Sequence, residues 1–399
     1  MVFGWFNRKQ ADGRSQKSTS QRGLPSGAWQ SCYINDYLSG KDDATTKDFC
    51  SLAKDVYLDN VIAYRCVRMT SEGCSAIPVN VFCNGYKAAA HPVLSLLRSP
   101  SPLQSRSDFF DDIFSYLQIA GNVYVQMVKD QEGGHAELYV LRPDRVNITT
   151  DENGWVSAYE YSVGGKKVSF PAIRSCGQVL HLKSFHPLND HYGFSGAGAA
   201  VRSVAVHNAA TKWNRSLLDN AARPSGALVY KGGDGDGHLS HTQYERLINE
   251  LENDYQGAVN AGRPLLLEGG LDWKPMGFSP SDMEFMETRN IAAREIASAF
   301  GVPPMLLGIP GDNTYSNYHE ANKAFMRDTV FPLVQKVYSK FSIWFSEYFS
   351  EDVRLEPVLD ALPSLSDERD SLWNRVSRAD FLSDEEKRKL LGIDGREGE

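Results

Sequence analysis

A glycine-rich segment, Gly193-Phe-Ser-Gly-Ala-Gly, has the residue types that hydrolases and nucleotide-binding proteins use where a helix begins. A nucleophile elbow has the pattern Gly-x-Ser-x-Gly, but Ala197 occupies the position of its second glycine. A P-loop ends in Gly-Lys followed by Ser or Thr, and the segment has no such ending. The dinucleotide pattern fails because Val201 stands where its last glycine belongs. The segment therefore predicts a tight turn into a helix.

Two further patterns contain side chains that bind metals. Asp234-Gly-Asp-Gly-His resembles the start of a calcium loop, with Glu245 at the twelfth position, but Leu239 stands where the sixth position requires glycine. Histidines also recur every five residues from His181 to His191. In a strand that spacing alternates between faces, so the rings do not converge on one ion. We therefore predict no metal site.

The carboxylates of the second half do not form an acid–base pair. Glu284 and Glu287 lie one helical turn apart, and Arg294 and Glu295 point to different faces. Solvated or intersubunit ion pairs explain them more simply than general acid–base catalysis does. We predict no catalytic residue, no cofactor and no enzymatic activity.

One loop is a candidate for function. The segment Gly308-Ile-Pro-Gly-Asp-Asn-Thr-Tyr-Ser-Asn-Tyr is polar and lacks net positive charge. Loops on rigid scaffolds often carry function, although many only connect two helices. Two hypotheses therefore stay open from the residues alone, a plain connector and an α+β enzyme with a site under residues 309–318.

Composition restricts the class of protein. The chain has 399 residues, of which 42% are hydrophobic and 23% charged, values typical of a folded protein with more than one domain. No stretch approaches 18 uninterrupted apolar residues, so we expect no membrane partner. The formal net charge is −8, whereas proteins that grip DNA usually present a basic surface. Either DNA is not a partner, or its contact is weak.

The pattern of elements predicts an α+β fold. Residues 1–30 form a basic tail, rich in Ser, Gln and Gly, that we expect to be flexible. The next half mixes helices with strands that glycine pairs separate, and it includes a helix that we expect Ser107 to cap and Gly121 to end. The second half is mainly helical: a weakly apolar helix from Ser195 to Ala222, a compact module, and a helix from Ser281 to Phe300.

The rest of the second half predicts a kinked helix and a helical end. The helix from His319 to Phe349 contains Pro332, which should kink it. Two short helices should follow, the last one capped by Ser383. The module between the two long helices should contain a helix capped at Ser240, with Gln243 as its capping-box partner.

Several motifs in register resemble the portal proteins of HK97-type tailed bacteriophages and gene transfer agents, over roughly Val56 to Phe349. The motifs are Ala63-Tyr-Arg-Cys-Val-Arg, Gly121-Asn-Val-Tyr, Leu141-Arg-Pro-Asp-Arg-Val, Ala222-Arg-Pro-Ser-Gly, Leu265-Leu-Leu-Glu-Gly-Gly, Glu295-Ile-Ala-Ser-Ala-Phe-Gly-Val-Pro-Pro-Met-Leu-Leu-Gly and Thr314-Tyr-Ser-Asn. One such match would be weak, whereas several in the same order are specific.

The resemblance implies a portal fold that assembles as a ring oligomer, typically a dodecamer. Its parts would be an α+β wing, two stem helices around a small α/β clip, a tunnel loop, a kinked wing helix and a short helical crown. The corresponding ranges are 31–194 for the wing, 195–224 for the first stem helix, 225–280 for the clip, 281–308 for the second stem helix, 309–318 for the tunnel loop, 319–350 for the kinked helix and 351–399 for the crown.

The resemblance also implies partners and sites. The ring would stand at a unique capsid vertex of the virion, be assembled in the bacterial host cytoplasm, and pass double-stranded DNA during packaging and ejection. The clip would dock the terminase large subunit and later the head–tail adaptor, and the major capsid or scaffold protein would be a further partner. The DNA contacts would be Asn313, Thr314, Tyr315, Ser316 and Asn317, and the clip contacts would be Tyr244, Trp273 and Lys274.

Overall fold

The computed structural model describes residues 49–129, 136–172, 177–219, 226–230, 240–254, 271–275, 285–310, 315–358 and 366–391, which all belong to one compact unit. This unit contains α-helices and four small antiparallel sheets. The predicted tail, residues 1–30, lies outside the described residues. Among the helices described, none combines the length and the apolar character that crossing a bilayer requires.

The first described segment is helical. Its helices are α1 (Phe49–Leu52), a π-helical turn (Ala53–Leu58), α2 (Val61–Ala76), α3 (Pro92–Arg98) and α4 (Arg106–Ala120), and the hairpin β1 (Val79–Cys83) and β2 (Tyr86–Lys87) lies between α2 and α3. Ser105 caps α4, where sequence predicted Ser107, because Asp108 completes a capping box with it. Gly121 ends α4 in the left-handed conformation, as predicted.

Two three-stranded sheets follow. Strand β3 (Asn122–Lys129) lies between β4 (Ala136–Leu141) and β8 (Val179–Lys183), and β6 (Val156–Val163) lies between β5 (Val146–Thr150) and β7 (Lys166–Pro171). Along β3, Val123 and Val125 enter the main core, whereas Tyr124 enters a second, smaller core with Phe170. The alternation of a strand thus lets β3 serve two cores.

The second half contains the long helices. They are α5 (Gly196–Asp219), α6 (His241–Asp254), α7 (Phe285–Ala299), α8 (Tyr315–Phe325) and α9 (Phe331–Phe349), and strands β9 (Gly226–Tyr230) and β10 (Leu271–Pro275) pair with each other. A 3₁₀ turn (Pro304–Leu307) follows α7, and a π-helical segment (Met326–Val330) joins α8 to α9 immediately before Pro332. Proline cannot donate a backbone hydrogen bond, so the change of helical register falls where the sequence predicted a kink.

The C-terminal part differs from the expected crown in one respect. Strand β11 (Val353–Pro357) pairs with β1, so these residues belong to the sheet of the predicted wing and not to residues 351–399 as one separate unit. Helices α10 (Ser366–Ser377) and α11 (Asp384–Leu390) follow. Ser383 caps α11, and its backbone N–H donates to Glu386 at 2.8 Å, which is the predicted capping box.

The main core lies where α4 packs against α9. The rings of Phe110 and Phe341 are 5.8 Å apart and those of Phe110 and Tyr338 are 5.3 Å apart, each in edge-on geometry. All three side chains are fully buried, and the Tyr338 hydroxyl donates to the Ile77 carbonyl at 3.1 Å. Burial raises the pKa of Tyr338 to about 12. This aromatic cluster is the rigid base on which the other elements are positioned.

Candidate functional site

The paired helices α5 and α7 approach each other through small side chains. Ala200 and Ala297 are buried, and a Cβ atom added to Gly196 would lie 3.1 Å from the ring of Phe300. The Ser203 hydroxyl donates to a Glu295 carboxylate oxygen at 2.6 Å. The helices can therefore lie close together, and the contact uses their small residues.

Val204 and Ile296 of this pair are buried, whereas other apolar side chains remain on its surface. Val206 on α5 is 46% exposed, and Ile291 on α7 is 48% exposed. Trp213 and Met286 are also exposed. Arg202 and Glu287 are exposed and precede Val206 and Ile291, respectively, by four residues, so each lies one turn away on the same helix face. Exposed large apolar side chains beside charged ones are typical of surfaces that another chain covers.

A buried amide network fixes α5 to the start of α2. Asn60 caps α2 by accepting the backbone N–H groups of Ile62 and Ala63 at 3.1 and 2.9 Å. Its amide nitrogen lies 3.1 Å from His207 Nδ1 and donates to Asn208 Oδ1 at 2.8 Å. Burial lowers the pKa of His207, so the ring stays neutral and can accept the amide proton.

The start of α5 is fixed at a second point, where two glycines meet. A Cβ atom added to Gly193 would lie 2.2 Å from the Gly121 carbonyl oxygen, so only glycine fits. The Asn122 amide bridges the contact, since its oxygen accepts the Gly193 N–H at 2.7 Å. The Ser195 hydroxyl accepts the Gly198 N–H at 2.9 Å. The glycine-rich segment is therefore a turn into a helix, as its sequence indicated.

Hydrogen bonds fix the first part of the segment that joins α7 to α8. Gly301 and Gly308 both adopt positive φ angles, +66° and +69°. The Thr329 hydroxyl donates to the Gly301 carbonyl at 2.6 Å, and the Arg294 guanidinium donates to the Pro310 carbonyl. These contacts direct the chain away from α7 towards the predicted functional loop.

The predicted loop is shorter than residues 309–318. Helix α8 begins at Tyr315, so Tyr315, Ser316 and Asn317 lie in its first turn and not in a loop, which corrects the sequence prediction. The polar run from Thr314 to Asn317 concealed the helix start because it lacks an apolar repeat. The Asn317 side chain is exposed. Asn313 and Thr314 lie outside the described residues.

The predicted clip contacts lie on two elements of the small module. Tyr244 is on α6, and its side chain is 56% exposed. Trp273 and Lys274 are on β10, opposite Leu228 and Ala227 of β9, and the Lys274 side chain is exposed. The capping box of α6 forms as predicted, because the Ser240 N–H donates to Gln243 at 3.0 Å.

The histidines of the repeating series do not share a site. His181 Nε2 lies 3.2 Å from Asn122 Oδ1, whereas His186 Nδ1 accepts the Leu188 N–H. Within the described ranges, one group of three metal-ligand side chains does come together, Cys83, His91 and Glu351. Sequence reasoning missed this group, because Glu351 is remote from the other two along the chain.

Comparison with known proteins identifies the family. The sequence model of the phage portal proteins matches residues 62–392, which is most of the chain. The chain belongs to the phage portal protein family. Portal proteins function at the capsid vertex and are structural components, so the predicted family and portal function are confirmed.

Relatives and solved structures agree with this assignment. The chain is 48% identical to a chain in the neck of an empty gene transfer agent particle computed with C6 symmetry, covering 92% of this chain and 100% of that one with a TM-score of 0.72. A chain from the neck of the native particle computed with C12 symmetry is equally identical, covering 92% of this chain and 99% of that one, with a TM-score of 0.69. The portal protein of Enterobacteria phage HK97 is 26% identical over 290 residues, which are 70% of this chain and 66% of that one. The predicted α+β portal fold of a ring oligomer is thereby confirmed.

Proposed function

We propose that twelve copies of this portal protein form a ring that conducts double-stranded DNA during packaging and ejection. The observation that carries the proposal is the 48% identity, over 92% of the chain, to a chain in a gene transfer agent neck computed with C12 symmetry. This identity exceeds the 26% shared with the HK97 portal protein, which favours a particle of the gene transfer agent type. The ring would be assembled in the bacterial cytoplasm and retained in the finished particle.

The α5–α7 pair would form the stem of each subunit. In a closed ring every subunit uses two different surfaces, one for each neighbour. The exposed side chains Val206 and Ile291 lie on different helices of the pair and would face opposite neighbours. Arg202 on α5 and Glu287 on α7, which carry opposite charges, would set the register between subunits.

The other segments would follow the order of the family. Residues from α1 to β8, together with β11, would form the wing, and β9, α6 and β10 would form the clip. The clip residues Tyr244, Trp273 and Lys274 would contact the terminase large subunit and later the head–tail adaptor. Helices α10 and α11 would form the crown, near the major capsid or scaffold protein.

The DNA contact would be weak and independent of sequence. The segment from Asn313 to Asn317 contributes amide and hydroxyl groups, which can touch phosphates without releasing many counterions. The net charge of −8 is consistent with a channel through which DNA slides. We further infer that the chain has no catalytic activity, so packaging energy comes from a separate ATPase. ATP hydrolysis by the purified chain would contradict this inference.

Adding negative charge to the segment tests the conduit. In particles built with Asn313→Asp and Thr314→Asp, we expect normal rings but several-fold less DNA per particle, measured as nuclease-protected DNA. The matched control is Thr150→Asp with Asn153→Asp, which adds the same charge near an exposed turn of the wing. Equal DNA content in both particles would exclude the segment as a DNA contact, and loss of rings would assign it to assembly instead.

A further inference from the structure

Cys83, His91 and Glu351 come together from three separate segments of the chain. One potential ligand atom from each side chain lies within 4.8 Å of the others. Cys83 ends strand β1, His91 precedes α3, and Glu351 lies in the turn between α9 and β11. His91 Nε2 is 3.6 Å from a Glu351 carboxylate oxygen. We propose that these three side chains bind a zinc ion.

The chemistry of the three groups selects zinc. A thiolate, an imidazole and a carboxylate form a borderline-soft set, which suits zinc and not magnesium or calcium. In tetrahedral zinc sites neighbouring ligand atoms are about 3.5 Å apart, given metal–ligand distances of about 2.0–2.3 Å. The His91–Glu351 separation of 3.6 Å meets this requirement. Three protein ligands leave the fourth position for water or a side chain of another subunit.

The backbone around the cluster fixes two of the ligands. Asn84 and Ser350 are the non-glycine residues with positive φ in the described part of the chain, at +52° and +53°. Asn84 directly follows Cys83 in the β1–β2 turn, and Ser350 directly precedes Glu351. The Asn84 N–H also donates to the Asp352 carbonyl at 2.9 Å, which ties the two turns together. These are the usual conformations of an Asn-Gly hairpin turn and of a residue that ends a helix, and here they place Cys83 and Glu351 on adjoining turns.

His91 has two roles that compete. Its Nδ1 atom accepts the Val93 N–H at 3.2 Å and so caps α3, and its ring packs edge-on against Phe349 at 5.2 Å. In this state the proton of the neutral ring is on Nε2. Zinc at Nε2 requires that proton to move to Nδ1, which breaks the cap, and it also requires the Cys83 thiol to release its proton to water. Zinc binding would therefore remove the hydrogen bond that caps α3, and the new zinc–ligand bonds would join β1, α3 and the end of α9.

Substitutions can separate the two roles of His91. In His91→Asn the side-chain oxygen can still accept the Val93 N–H, whereas the zinc ligand is lost. Cys83→Ser and Glu351→Gln remove the other two ligands with little change in volume. Cys50→Ser is the matched control, since Cys50 is an exposed cysteine outside the cluster.

The test is a cobalt titration of the full-length protein, followed through the thiolate-to-cobalt absorption band and then by displacement with zinc. We expect one cobalt ion per chain in the wild type and in Cys50→Ser, and no such band in Cys83→Ser. In His91→Asn and Glu351→Gln, the affinity for cobalt should fall by about 10–100-fold or more. Loss of an outer-shell partner alone causes a decrease of that size, and these residues are direct ligands in the proposal. Circular dichroism establishes that each variant is folded.

Three outcomes would overturn the proposal. The first is a folded wild-type chain that shows no thiolate-to-cobalt band. The second is a band that disappears in Cys50→Ser but persists in Cys83→Ser, and the third is an unchanged affinity for cobalt in both His91→Asn and Glu351→Gln. Because Glu351 is half-exposed, Glu351→Gln remains informative even where Cys83→Ser fails to fold. Ring assembly and DNA packaging are read separately, so failure of the zinc site leaves the conduit function untouched.

Discussion

The core between α4 and α9 buries large aromatic rings within one chain, whereas the α5–α7 pair buries alanines together with Val204 and Ile296 and leaves Val206 and Ile291 exposed. The first region satisfies its apolar surface internally and can fold in a single subunit. The second has a buried side that joins the core of the subunit and an exposed side that carries Val206 and Ile291. The difference indicates that the core stabilises the subunit and that the helix pair stabilises the assembly.

The largest effect on folding should come from the aromatic cluster. Phe110→Ala removes a fully buried ring from its contacts with Tyr338 and Phe341. We expect the free energy of unfolding to fall by about 3–5 kcal/mol in urea denaturation. Trp155→Ala, at a side chain that is 67% exposed, is the control and should change it by less than about 0.5 kcal/mol. Similar losses in both variants would mean that the core is not where the subunit derives its stability.

A smaller effect depends on pH. Burial raises the pKa of Tyr338 to about 12, compared with its ordinary value of 10.0. The unfolded chain therefore loses this proton from about pH 10, whereas the folded chain keeps it until about pH 12. This contribution to stability is fully present below pH 10 and decreases as the pH rises, by about 2 kcal/mol at pH 12. Tyr338→Phe should show a shallower decrease over this window, and equal slopes would contradict the assigned burial.

Substitutions on the exposed faces of α5 and α7 should change the free energy of unfolding least and ring assembly most. Val206→Glu and Ile291→Glu place a carboxylate on an exposed helix face, so unfolding of the subunit should change by less than about 0.5 kcal/mol. Ring formation, measured by sedimentation velocity, should be lost, because a closed ring would bury the unpaired charge. Ile343→Glu is the control, at an isoleucine of α9 that is 56% exposed. If all three variants form rings, the helix pair is not the subunit interface.

Local patterns in the sequence predicted much of the fold. Ser240 with Gln243, Ser383 with Glu386, and Gly121 each act within one turn of the chain, so their roles could be read directly. The start of α4 was placed at Ser107 and not at Ser105, since two serines compete and the capping partner Asp108 decides.

The functional surfaces were less predictable, because they depend on contacts between remote residues. Asn60 and Asn208 connect α2 with α5, and Cys83, His91 and Glu351 meet from three elements. Neither group has a characteristic spacing in the sequence. The family itself was recognisable because several short motifs occur in the same order, and the match to residues 62–392 confirms it.

The central claim is that one chain completes its own core but needs neighbours to cover the α5–α7 pair. A reconstruction of the purified, assembled protein by electron microscopy tests it most directly. We predict a closed ring of twelve subunits in which Val206 and Ile291 are buried at the boundaries between neighbouring subunits. Particles that remain monomers and dimers under all conditions, or a ring that leaves both side chains exposed to solvent, would contradict the claim.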